Sequence, residues 1–136
     1  MRTKMNNLNL GFIGVGLMGL SIVKRLSNLD YKIDAYDKNL KKLEPLKNIS
    51  NVRLNQKASE GSQNNNIIIL CVDKTESVKE VVFGRHGLIN NANNNTIILD
   101  LSTTLADETI NFANQLNKKQ EHRGFTHKSR VALIKR

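Results

Sequence analysis

The sequence predicts an α/β fold built on a doubly wound parallel sheet, and three observations predict it. Short apolar runs recur along the 136 residues, each followed by a stretch with helical spacing. Strands alternating with helices in this way imply parallel strands joined by right-handed crossovers. Two of the runs, Asn66 to Val72 and Thr96 to Asp100, lack polar alternation, as strands do when both faces of a sheet are covered. The third observation is a glycine-rich turn, Gly14-Val15-Gly16-Leu17-Met18-Gly19, set between the first run and the first helical stretch.

Each element follows in order. Asn9 to Gly14 reads as a short buried strand running into glycine. Leu17 to Leu29 is helical, with Leu17, Leu20, Val23 and Leu26 recurring every third residue. Tyr31 to Tyr36 alternates apolar and polar and reads as the second strand. Lys38 to Leu46 is a short helix whose Pro45 lies near its end, where proline does least harm. Val52 to Leu54 is a weak third strand, and Ala58 to Gln63 a short helix or turn. The Asn66–Val72 strand is followed by a helix over Thr75 to Phe83, with Val78, Val81 and Val82 on one side. After the Thr96–Asp100 strand, Leu105 to Leu116 forms a final helix. Asparagine runs such as Asn64-Asn65-Asn66 and Asn93-Asn94-Asn95 are expected at loop tips. The count is five strands, so the sheet is expected to be incomplete at its C-terminal edge. Three segments follow: residues 1–8 an extension, 9–117 the folded domain, and 118–136 a tail.

The turn carries the chemistry. G-x-G-x-x-G after a strand and opening a helix is the dinucleotide-binding fingerprint of a Rossmann domain. Gly14 permits the tight turn, Gly16 the close approach of a pyrophosphate, and Gly19 the packing of helix on sheet. The helix start presents free N–H groups and the positive end of its dipole to the phosphates. Asp37 ends the second strand 18 residues after Gly19, where a carboxylate accepts from the adenosine ribose hydroxyls and repels a 2′-phosphate. NAD is therefore favoured; Lys38, Lys41 and Lys42 follow directly and keep NADP open. The plain alternative is a glycine turn and a solvated Asp.

Gly11-Phe12-Ile13-Gly14-Val15-Gly16-Leu17-Met18-Gly19 resembles the opening signature of the 3-hydroxyisobutyrate dehydrogenase family. This β-hydroxyacid dehydrogenase group includes tartronate semialdehyde reductases and, more distantly, 6-phosphogluconate dehydrogenase. Leu70-Cys71-Val72-Asp73 resembles a strand end that usually reads Met-Leu-Pro-Asp. Val82-Phe83-Gly84 with Gly87-Leu88 resembles the family's Phe-Gly…Gly-Leu loop, and Asp100-Leu101-Ser102-Thr103 its Asp-x-Ser-Thr motif. The matches run collinearly from residue 9 to about 117, some four-fifths of the chain. The resemblance implies that Phe12, Ile13, Gly14, Val15, Gly16, Leu17, Met18 and Gly19 wrap the pyrophosphate. It implies that Cys71 and Val72 line the adenosine and nicotinamide ribose path, with Val72 replacing the usual proline. Ser102 and Thr103 would sit near nicotinamide and substrate; read without the family, they equally suit a helix N-cap. The implied activity is NAD(P)-dependent oxidation of the CH–OH group of a small 3-hydroxy acid, of the 3-hydroxyisobutyrate or tartronate semialdehyde type.

The chain also departs from that family. Its glycine-rich substrate segment, usually Asp-Ala-Pro-Val-Ser-Gly-Gly, and its lysine-bearing helical domain have no counterpart, so no catalytic residue is assigned and little turnover is expected from this chain alone. After Lys119-Gln120 the sequence turns polar and basic until Val131-Ala132-Leu133-Ile134. The tail is expected to be disordered, or to reflect a shifted reading frame.

Composition excludes other classes. The net charge of +9 invites a nucleic-acid reading, but residues 118–136 hold seven basic residues against Glu121 alone, leaving a mildly basic body. With 4% aromatics, no nucleic-acid face is expected. The longest apolar run, Ile67 to Val72, is far short of a membrane span. The single Cys71 reads as a core thiol at a strand end, allows no disulfide within the chain, and suits a reducing cytoplasm. His86, His122 and His127 show no metal spacing and read as surface residues. Two functions therefore stand: the cofactor domain of an oxidoreductase, and a non-catalytic dinucleotide-binding module.

Overall fold

The computed structural model describes residues 8–65, 67–88, 96–102, 110–111, 114–115, 118 and 130–133. Its elements run β1 (Asn9–Ile13), α1 (Leu17–Asn28), β2 (Lys32–Tyr36), a 3-10 helix (Leu40–Leu46), β3 (Val52–Leu54), α2 (Ala58–Asn64), β4 (Ile67–Leu70), α3 (Thr75–Phe83), β5 (Ile97–Asp100) and β6 (Arg130–Leu133). The sheet order is β3-β2-β1-β4-β5-β6, and every neighbouring pair is parallel. This is the doubly wound Rossmann arrangement expected from the sequence.

The sixth strand corrects the expected edge. β6 pairs with β5 in the register Ile97↔Arg130 to Asp100↔Leu133, so the sheet does not stop at five strands and the 118–136 tail is structured at these four residues. The apolar run beginning at Val131 was short and embedded in basic sequence, which hid it. Residues 119–129 and 134–136 of the tail, residues 1–7, Asn93-Asn94-Asn95 and Thr103 lie outside the described residues. So does most of the final helix, of which 110–111, 114–115 and 118 are helical.

The period-2 alternation of a strand splits the core into two layers. Phe12, Ile33, Ala35 and Ile69 pack with Val23 of α1 and with Leu43 and Leu46 of the 3-10 helix. On the other face Ile13, Ile68, Leu70 and Ile98 pack with Ala58 of α2 and with Val78 and Val82 of α3. Phe12 is fully buried, and its truncation to alanine is worth about 3–5 kcal/mol.

Asn65 is not at a solvated loop tip. It is buried at 2% exposure, and its Nδ2 donates to Gly61 O at 2.7 Å and to Asp34 Oδ2 at 2.8 Å. Asp34 needs such donors because it is a buried carboxylate, 9% exposed. Arg53 supplies two more, at 2.9 and 2.7 Å. Together they fasten α2 to the β2–β3 edge.

Candidate functional site

Sheet order reverses at β1, which has β2 on one side and β4 on the other. A crevice opens beyond the carboxyl ends of the strands at such a switch point. Gly14 occupies it with φ of 102°, a conformation that favours glycine. Its N–H donates to Tyr36 O at 3.0 Å, and a Cβ would lie 2.1 Å from Cys71 O. The turn is thus wedged between the ends of β2 and β4. Gly19 lies in the first turn of α1, where a Cβ would stand 2.0 Å from Gly14 O. A Cβ on Gly16, by contrast, would meet nothing within 4 Å. Gly16 is also the N-cap of α1, with no side-chain cap and no acidic residue in the first turn. The helix start therefore offers its first-turn N–H groups to the crevice with no acidic side chain of its own first turn competing for them.

The crevice has a volume of about 780 Å³ and is lined by Ile13, Gly14, Gly16, Asp37, Lys38, Cys71 and Val72 among the residues singled out from the sequence. Phe12 and Val15 are buried in the α1-side core, so only their main chain is available to a ligand. Leu17 is 93% exposed and Met18 36%. Lys42 lines the crevice with Lys38; Lys41 does not.

Asp37 is 9% exposed. Its Oδ2 accepts the Val15 N–H at 2.7 Å and its Oδ1 the Asn39 N–H at 2.8 Å. An ionised carboxylate has about four acceptor positions, so two remain for other donors.

At the β4–β5 side, Cys71 is half-buried. Ser102 does not line the crevice directly. It is 7% exposed, and its Oγ accepts the Val72 N–H at 2.8 Å. The Ser102 N–H donates to Asp100 Oδ1 at 2.9 Å. Burial pushes the Asp100 carboxyl above the usual carboxylate range, against the opposing backbone and side-chain hydrogen bonds from Ser102.

Several crevice residues carried no sequence signal. Tyr36, Ala58, Glu76, Ser77, Glu80, Val81, Arg85 and His86 all line it. Burial first, then Asp37 and Glu80, push the Tyr36 phenol up, so it stays protonated at neutral pH. His86 is exposed, as expected, yet stands on the crevice wall, its carbonyl accepting the Ser59 N–H at 3.0 Å. Among the described residues no group of three or more His, Cys, Asp or Glu is placed to hold a metal ion, and no helix is long and apolar enough to cross a membrane.

Open space over Gly16, an uncapped helix start and a buried carboxylate at the end of β2 suit a dinucleotide, and fold and crevice together define a nucleotide-cofactor-binding α/β domain. Residues 9–123 match the NAD binding domain of 6-phosphogluconate dehydrogenase. The chain belongs to that family, an oxidoreductase-type family that binds NAD(P). It is 28% identical over 95 residues to an uncharacterized oxidoreductase, YkwC, of Bacillus subtilis (strain 168), covering 70% of this chain and 33% of that protein. It is also 28% identical over 104 residues to the cytokine-like nuclear factor N-PAC of Pongo abelii, covering 76% of this chain and 19% of that one. The chain thus spans a third or less of the length of these relatives. An imine reductase variant from Myxococcus stipitatus in complex with NAD+ superposes with a TM-score of 0.74 at 14% identity, over 95% of this chain and 40% of that one. The imine reductase from Myxococcus stipitatus in complex with NADP+ gives 0.73 at 15%, over 93% and 40%. At these identities the likeness is one of fold.

Proposed function

We propose that this chain is the cofactor-binding portion of a dehydrogenase acting on the CH–OH group of a small 3-hydroxy acid, with NAD favoured over NADP. The observation that carries the reading is the open space over Gly16 at the bare start of α1. Here the main chain from Phe12 to Gly19 would hold the pyrophosphate. Asp37 would use its two remaining acceptor positions on the adenosine ribose hydroxyls, and its nearly buried charge opposes a 2′-phosphate at the same place. Lys38 and Lys42 on the crevice rim lessen that discrimination. Cys71 and Val72 would flank the nicotinamide ribose, with Ser102 and Thr103 towards the substrate.

The nicotinamide, when bound, supplies the hydride-transfer chemistry. What the chain's own residues do is bind and orient. The family it resembles handles the hydroxyl proton with a lysine from a helical segment that residues 9–123 do not match, so binding without turnover is the expected behaviour of this portion by itself. The 3-hydroxy acid class is supported by the strand-end and loop resemblances at Leu70–Asp73, Val82–Leu88 and Asp100–Thr103. The lone Cys71 suits a cytoplasmic setting. A second reading, a non-catalytic dinucleotide-binding module, is favoured by the similarity to a relative named as a nuclear factor.

Calorimetric titration of the chain with NADH and NADPH tests the proposal. Saturable binding, tighter for NADH, is the expected result; no binding of either, or a clear preference for NADPH, contradicts it. Addition of 3-hydroxyisobutyrate with NAD+ to the whole protein separates the two readings, since only the dehydrogenase forms NADH.

A further inference from the structure

We propose that Ser102 and Asp100 are positioning residues for the nicotinamide half of the cofactor, acting through the main chain of Val72. The proposal rests on the dinucleotide reading of the crevice and deepens it.

The β4–β5 ladder ends with the Leu101 N–H donating to Leu70 O at 2.8 Å. Beyond it one further tie crosses between the two strand ends, and a side chain makes it: the Val72 N–H donates to Ser102 Oγ. A serine hydroxyl has one proton and two lone pairs. Left alone, it rotates freely between donating and accepting. The Val72 N–H engages it as an acceptor, and Asp100 fixes the residue that carries it. Asp100 is 2% exposed and accepts the Ser102 N–H at 2.9 Å. Burying a carboxyl is costly unless it is hydrogen-bonded, and the Ser102 N–H supplies such a bond.

The location of this relay decides what it acts on. Val72 and Cys71 form the β4 wall of the crevice, while Asp37 and Lys38 form the β2 wall. A dinucleotide lying across a switch point with its pyrophosphate at the glycine turn has its adenosine half on the β2 side and its nicotinamide half on the β4 side. Releasing Val72 therefore loosens one half of the site and leaves the other as it was.

The test compares NADH with ADP, which keeps the adenosine and pyrophosphate but lacks the nicotinamide and its ribose. Ser102→Ala deletes the tie to Val72 but keeps the backbone N–H to Asp100, so the fold is retained. NADH affinity is expected to fall roughly ten-fold, the size of one well-made hydrogen bond, with ADP affinity unchanged and the fluorescence enhancement of bound NADH reduced. Ser102→Thr, which keeps the hydroxyl, restores NADH binding. Asp100→Asn shifts NADH binding the same way by a smaller factor. Equal losses for both ligands mean a merely structural role and overturn the proposal, as does an unchanged NADH affinity. If the unmodified chain binds neither ligand, the dinucleotide reading fails and takes this proposal with it; binding of ADP with any of the contrary variant results defeats the proposal alone.

Discussion

The carboxylate of Asp37 accepts the N–H of Val15, 22 residues earlier and inside the glycine-rich turn, at 2.7 Å. The end of β2 thereby holds the turn in shape as well as facing the crevice. Asparagine at this position offers one oxygen where two N–H groups need acceptors, so either Val15 or Asn39 faces an amide NH2. Asp37→Asn is expected to destabilise the domain by about 1–2 kcal/mol in denaturant unfolding. It should also weaken NADH binding by more than that loss of stability explains. Full retention of affinity would show that Asp37 serves the turn only.

Gly16 and Gly19 should separate binding from folding. A side chain on Gly16 projects into open space, so Gly16→Val is expected to abolish dinucleotide binding while lowering stability by less than about 1 kcal/mol. A Cβ on Gly19 collides with a backbone carbonyl, so Gly19→Ala is expected to cost about 3 kcal/mol whether or not a ligand is present. Thermal melts of the two variants, with and without NADH, distinguish the cases.

The Asp34 cluster makes a prediction about stability far from the crevice. Asp34→Ala removes the acceptor for Arg53 and one of two acceptors for the buried Asn65 amide, at a cost of about 2 kcal/mol. Arg53 is 60% exposed at its side chain, so Arg53→Ala should cost less than about 1 kcal/mol. That smaller loss should shrink as salt is added.

Asp100 gives a pH dependence of unusual sign. Burial raises its native pKa above the unfolded value near 3.9. Between those two values the folded chain binds more protons than the unfolded chain, so this group's contribution to stability falls as pH rises. Above the native pKa the loss is complete and constant. The stability of the unmodified chain relative to Asp100→Asn should therefore decline from about pH 4 upwards and then level. A difference that grows with pH would contradict the assigned direction.

The turn, its flanking strand and helix, and Asp37 were legible in the sequence because each has a local signature: glycine spacing, an apolar run, helical periodicity, an acid at a set distance. α3 was legible at both ends for the same reason. Other features depend on residues far apart in the chain. Asn65 looked like a loop tip and is buried because Asp34, 31 residues away, supplies its acceptor. β6 is set by pairing with β5, which four residues amid a basic stretch do not announce. His86, Glu80 and Tyr36 meet at the crevice only through the packing of α3 on the sheet. The Asp-x-Ser-Thr resemblance points to Ser102, but its hydrogen bond with the Val72 N–H is a connection that no spacing rule encodes.

The most direct test of the central claim is calorimetric titration of NADH into the unmodified chain and into Gly16→Val. The account predicts saturable one-to-one binding to the unmodified chain and none to the folded variant. Equal binding by both, or none by a folded unmodified chain, would contradict the assignment of this crevice as a dinucleotide site.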